Sequence, residues 1–285
     1  MFEQVVFAGG GHRCWWQAGF WDRVAADIDL RPKVIAGASA GAATACLLYA
    51  GNTLEALDYY DQLLTKTARN FYWSNLFKRG QKVMPHDQIY RTALSVFFDD
   101  AHYKQVMWNA PQIRVVYSLL PNWLGASTGA LIGLAAYSTE KYLFQPLHPK
   151  WGRRLGFKPA IGLVQDCKSP QELIALLMAS ACTPPITQIE YIKDEATLDG
   201  GMVDNVPVHA VDEHASTLVL LSRQYGRHAP IFSRNGLIYV QPSQKLPASS
   251  WDYTNPSNYR DTYQLGRKDG ISFLRSFRSI RPVLN

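Results

Sequence analysis

Twice within its first fifty residues the chain runs a short apolar strand into glycine and then into a helix. Gln4–Ala8 (QVVFA) ends in Gly9-Gly10-Gly11, after which His12–Ala26 carries helix-compatible spacing. Lys33–Ala36 (KVIA) ends at Gly37, and Ser39–Ala50 is rich in alanine and leucine. Short apolar runs closed by glycine read as buried strands entering tight turns. Two strand–turn–helix units in succession point to the α/β class, with helices layered on a sheet.

The rest of the chain extends this pattern. Leu54–Thr67, Ala130–Glu140 and Tyr259–Phe277 read as helices; Ile113–Ser118, Ile161–Gln165, Ile186–Ile192, Leu218–Ser222 and Leu237–Gln241 read as strands. A further helix starts at Ser169, which caps, with Pro170 in the first position and Glu172 three residues after the cap. Residues 70–100 are aromatic and basic (FYWSNLFKRGQKVMPHDQIY) and read either as a lid or insertion or as an irregular core wall. Residues 243–257, rich in proline and serine, read as loop. No repeat or boundary divides the chain, so residues 1–285 are expected to form one domain.

Composition excludes several classes. With 47% apolar and 18% charged residues the chain is neither disordered nor a coiled coil. A formal charge of +6 suits anionic partners such as phospholipid headgroups, but no dense Lys/Arg run or nucleic-acid motif accompanies it. Cys14, Cys46, Cys167 and Cys182 lack the paired spacing of zinc sites and the density of a disulfide scaffold, which suits free thiols in the cytoplasm. The N-terminus has no basic n-region and reads as no signal peptide, and the apolar stretch near Gly129–Tyr137 falls short of the ~20 residues that span a bilayer. No EF-hand loop or clustered ligand spacing appears, so no metal or cofactor is expected.

Three segments carry chemistry. Gly37-Ala38-Ser39-Ala40-Gly41 is a G-x-S-x-G between strand and helix; small neighbours let a nucleophile sit on a sharp turn, and the helix N-terminus faces the reacting centre. Gly9-Gly10-Gly11-His12-Arg13 lets successive amides converge as an anion nest, the device an acyl transfer needs for its oxyanion. Arg13 adds charge there or anchors the loop. The same glycines nearly fit a dinucleotide fingerprint, but the second strand ends in Ala36-Gly37 rather than in the acidic residue that would hold a ribose. Asp199-Gly200-Gly201, taken alone, is a common turn.

Taken together, GGGHRC, GASAG and DGG occur in this order, with ASACTPP (Ala179–Pro185) before the last. In these motifs the sequence resembles the patatin-like phospholipases, over roughly Val5 to Pro207. The resemblance implies a three-layer α/β/α fold with a central, mostly parallel sheet. It implies Ser39 as nucleophile and Asp199 as base of a Ser–Asp dyad, with Gly9, Gly10, Gly11 and Arg13 around the oxyanion and Gly10 and Gly11 as donors. Gly37 and Gly41 shape the elbow, and Gly200 and Gly201 the turn at the base. The substrate implied is a phospholipid or another lipid ester. Where the family has glycine this chain has Cys14, which narrows the loop or alters its dihedrals.

An ordinary aspartate, with a pKa of about 3.9, is a poor base for serine, and desolvation would improve it. The alternatives are a catalytically weak lipid-binding or scaffolding protein of this fold, and a Ser–His–Asp hydrolase using His209 or His214. The basic C-terminal helix (Arg260, Arg267, Lys268, Arg275 and Arg278, with Arg281 just beyond) offers either a face for peripheral contact with anionic membrane or a solvated surface.

Overall fold

The computed structural model describes residues 2–77, 83–121, 123–144 and 146–280. In chain order its elements are β1 (Gln4–Phe7), α1 (Trp15–Val24), β2 (Val34–Ala38), α2 (Ala40–Ala50), α3 (Thr53–Thr65), α4 (His86–Phe97), α5 (Asp100–Asn109), β3 (Gln112–Leu119), α6 (Ala126–Thr139) and α7 (Trp151–Arg154). There follow β4 (Lys158–Leu163), α8 (Pro170–Ser180), β5 (Glu190–Ile192), β6 (Glu195–Asp199), α9 (Gly201–Asp204), β7 (Thr217–Leu220), β8 (Ile231–Arg234), β9 (Leu237–Val240) and α10 (Ser257–Ile280).

Alternation along the buried strands sets the layers. Val5 and Phe7 of β1 join Ile35, Ile113, Val115, Leu218 and Leu220 in a core completed by α1, α2, α3, α4, α5, α8 and α10. Val6 and Ala8 face the other way, with Ala36, Ala38, Val116 and Val219, against Leu147, Val206 and Ala210. Strands covered on both faces favour apolar residues at nearly every position, which is why β1, β2 and β7 read as near-continuous apolar runs. The strands β3-β2-β1-β7-β9 are parallel neighbours, and β4, β5, β6 and β8 add antiparallel pairings at the margins. This is the α/β/α arrangement expected, with a parallel centre.

One register positions the site. β4 occupies one edge of β3 from Arg114 to Leu119. The other edge is shared end to end: Ala38 of β2 pairs with Val116, and Asp199 of β6 pairs with Tyr117. The last residues of β2 and β6 therefore meet on consecutive β3 positions.

The stretch read as lid or core wall resolves into two parts. Residues 73–77 form a short turn of helix with exposed Trp73, whereas α4 is built into the wall through Ala93, Leu94 and Phe97; residues 78–82 lie outside the described residues. The strand expected over Ile186–Ile192 begins only at Glu190. The C-terminal helix packs its buried residues, Tyr259, Tyr263, Phe273 and Leu274 among them, into the core that includes α1. Its Arg260 is committed to Asp58 at 2.6 Å and to Asp61, both on α3.

Candidate active site

Ser39 stands between β2 and α2 with φ 54° and ψ −136°, a left-handed φ that costs a non-glycine residue about 1–3 kcal/mol and persists only where its surroundings fix it. They do so here by close packing. A Cβ on Gly41 would lie 2.6 Å from the Phe7 and Ala8 carbonyl oxygens, and one on Gly37 2.6 Å from Cα of Ala42. The Ser39 amide donates to Oγ of Ser180 (2.8 Å), which donates to the Val116 carbonyl (2.6 Å). Ser39 is buried, at 6% exposure, and its neighbourhood is a pair of cavities.

Asp199 ends β6 at the meeting point with β2. The Gly201 amide donates to its Oδ1 (2.7 Å) and the Thr183 hydroxyl approaches Oδ2 at 3.4 Å. Its own amide donates to the Cys182 carbonyl (2.6 Å), and the next amide, of Gly200, to the Ser180 carbonyl (3.0 Å). Residues 180–183 thus hold both the serine turn and the aspartate turn. Ser180 lies in the ASACTPP segment, but nothing in the sequence marked it as the tie between them.

The glycine loop is oriented through its carbonyls. The Gly9 carbonyl accepts from Nδ2 of Asn205 (2.8 Å) and from the Ser222 hydroxyl. The Gly10 carbonyl accepts from Nε of Arg13 (3.1 Å). Because a peptide group is planar and trans, fixing each carbonyl turns the next amide, of Gly10 and of Gly11, the opposite way. Neither amide donates to an acceptor among the described residues. Gly11 needs its residue type twice over, at φ +56° and with a Cβ position 2.3 Å from the Ser250 carbonyl oxygen. The Gly9 amide donates to the Asn205 carbonyl (2.9 Å). Arg13 braces the loop through Nε, and burial pushes its pKa down. Asn205 and Ser222, which orient the loop, carry no motif, and sequence reasoning missed both.

Cys14 keeps ordinary helical dihedrals (φ −68°, ψ −13°), so the side chain places no strain on the loop. Burial pushes its thiol up to about 12, which leaves it protonated.

The cavities differ in their walls. One is lined by Ala43, Leu47, Tyr60, Leu94 and Phe97 together with Ser39. The other brings Gly10, Gly11, Arg13, Tyr137, Thr183 and Asn205 around Ser39 and Asp199. Ser250 and Trp251, from the stretch read as plain loop, line both. His12 lines the apolar cavity between the Tyr60 hydroxyl (2.7 Å) and the Asp252 carbonyl (3.1 Å), and burial pushes its pKa down to about 3. A carbonyl only accepts, so Nδ1 of the neutral ring carries the proton and Nε2 accepts from Tyr60. Neither His209 nor His214 lines either cavity: His209 stands 3.8 Å from Asp204, and His214 is exposed on a left-handed turn. The Ser–His–Asp alternative that called on His209 or His214 therefore has neither of them beside Ser39.

In comparisons with known proteins, no curated protein matches the chain. Among solved structures, a crystal structure of VipD from Legionella pneumophila aligns over 96% of this chain and 67% of its own, at 12% identity and a TM-score of 0.49. The family model for patatin-like phospholipase matches residues 5–212, a span that contains the glycine loop, the serine turn and the Asp199 turn. On that match, the chain belongs to the patatin-like phospholipases.

Proposed function

We propose that this lipid acyl hydrolase cleaves carboxylic esters through a Ser39–Asp199 dyad. The observation that carries the reading is the shared edge of β3: Ala38 and Asp199 pair with its consecutive residues, so the serine turn and the aspartate open into one cavity. In the proposed reaction Asp199 takes the Ser39 proton as Oγ attacks the ester carbonyl. The amides of Gly10 and Gly11 receive the oxyanion, an interaction that typically contributes about 10²–10³-fold per donor. Asp199 then returns the proton to the departing alcohol oxygen. A water molecule attacks the acyl-serine while Asp199 accepts its proton, and Ser39 leaves with that proton as the acid is released. The apolar cavity suits the acyl chain and the polar one the alcohol portion.

The lipid-binding alternative gains no support from Cys14, whose helical backbone is unstrained. Hydrolysis of a short-chain p-nitrophenyl ester, followed by a lipid panel read by mass spectrometry, tests the dyad. Ser39→Ala and Asp199→Asn should both abolish turnover. Equal rates in Ser39→Ala and the unmutated chain would remove the enzyme reading altogether.

A further inference from the structure

Acidic residues avoid one stretch of the chain. Between Asp100 and Asp166 there are seven Lys and Arg against a single Glu140, so this stretch alone accounts for the formal +6. Glu140 is buried and accepts the amides of Lys150 (2.8 Å) and Trp151 (2.9 Å). Lys150, Arg153, Arg154 and Lys158 are exposed, and none of them pairs with a carboxylate among the described residues.

Beside these cations lies an unusual helix. From Trp123 to Thr139 no residue is charged. A surface helix ordinarily turns charged residues outward. Here Leu131 is 67% exposed; Trp123 just before the helix is 74% exposed, and Leu143 and Phe144 just after it are 73% and 61% exposed. The Phe144 ring packs on Trp151 at 5.4 Å, at the start of α7, and α7 packs on α6. Leu131, Leu134 and Ser138 follow one another at i, i+3 and i+7 and so share a stripe of α6. Leu134 and Ser138 line the cavity that holds Ser39 and Asp199. The stripe thus runs from open surface into the wall of the catalytic cavity.

We propose that this face, α6 with Trp123, Leu143, Phe144 and the exposed cations of 150–158, seats on an anionic lipid surface. Apolar insertion and attraction to anionic headgroups reinforce one another at such a boundary, and tryptophan favours that depth. With 14 residues α6 is shorter than the ~20 needed to cross a bilayer, so it lies in the interface. The absence of acids favours a lipid surface over a second copy, because like-charged faces oppose one another. The proposal rests on the lipid-ester reading only for what then enters the cavity.

The test is co-sedimentation of the full chain with phosphatidylcholine vesicles, with and without phosphatidylglycerol. The unmutated protein and Ser39→Ala should bind the anionic vesicles equally. Trp123→Asp combined with Leu131→Asp should cut partitioning ~tenfold or more, and Arg153→Glu with Arg154→Glu a similar amount at low salt. Short-ester hydrolysis should stay unchanged in both. Trp108→Asp, at a residue 88% exposed on α5 in the opposite layer, should bind as before. Three outcomes would overturn the proposal: no binding by the unmutated chain, equal loss in Trp108→Asp, or a dimer in solution that Leu131→Asp dissociates. If Ser39→Ala retains full hydrolysis while vesicle binding follows the pattern above, the dyad fails and the surface stands.

Discussion

The two cavities that meet at Ser39 are built from different kinds of chain. The apolar one takes its walls from regular helices: Ala43 and Leu47 from α2, Tyr60 from α3, Leu94 and Phe97 from α4. Each is there because its helix buries a stripe at helical spacing. The polar one is assembled from separate loops and element ends, with Gly10, Thr183, Asp199 and Asn205 brought together by hydrogen bonds. The first is a volume that tolerates exchange of one apolar side chain for another. The second depends on individual atoms, because an amide that turns away from a developing charge loses most of its effect.

Substitutions on the two sides should therefore differ in size and kind. The largest effect belongs to the boundary itself: Ser39→Ala or Asp199→Asn should lower kcat for any ester by about 10⁴-fold or more, since a nucleophile and its base act as a unit. Should Asp199→Asn keep even a tenth of the activity, the base lies elsewhere. Next come the residues that orient the glycine loop. Asn205→Ala or Ser222→Ala should reduce kcat about 10–10²-fold with KM little changed, because the loop's amides matter in the transition state. A rise in KM alone would mean that Asn205 binds the alcohol portion rather than steering Gly10. On the apolar side, Ala43→Phe should act on selection rather than chemistry, lowering kcat/KM for long acyl chains about tenfold relative to acetyl esters. Equal loss across a chain-length series would break the contrast between the cavities.

The smallest effect is on stability and pH. Burial holds His12 at about 3 in the folded chain against an ordinary 6.5, so below pH 6.5 the unfolded chain binds more protons. Stability from this site is complete above 6.5 and falls as pH drops towards 3, at up to about 1.4 kcal/mol per pH unit. His86 is shifted in the same direction by burial and adds to the slope. Urea melts from neutral to about pH 5 should be flatter in His12→Gln; an unchanged slope would show that the apolar wall carries no such penalty.

Much of this is legible in the sequence, and the split follows the same line. β1, β2 and β7 are apolar at nearly every position, and turns at Gly9 and Gly37 close the first two, so the α/β layering could be read directly, while the parallel centre came with the family resemblance. Ser39 was legible because a strained turn restricts the residues on either side of it. Helix α5 was missed because only Val106 is buried along it, too weak a periodic signal. Ser180, Asn205 and Ser222 were missed for another reason. Their roles depend on contacts with residues 141, 196 and 213 positions away, and hydrogen bonds of that range leave no local pattern.

Ser250 and Trp251 line both cavities, yet they lie beyond residue 212, where the family match ends. Ser39 and Asp199 and part of the enclosure around them thus lie in separate parts of the chain, although Ser222, which orients the glycine loop, also lies beyond residue 212. Variation at the Trp251 side chain can reshape what is admitted while leaving Ser39, Asp199 and Ser222 in place. Relatives sharing every motif with this protein would then diverge first in diet, and only much later in chemistry.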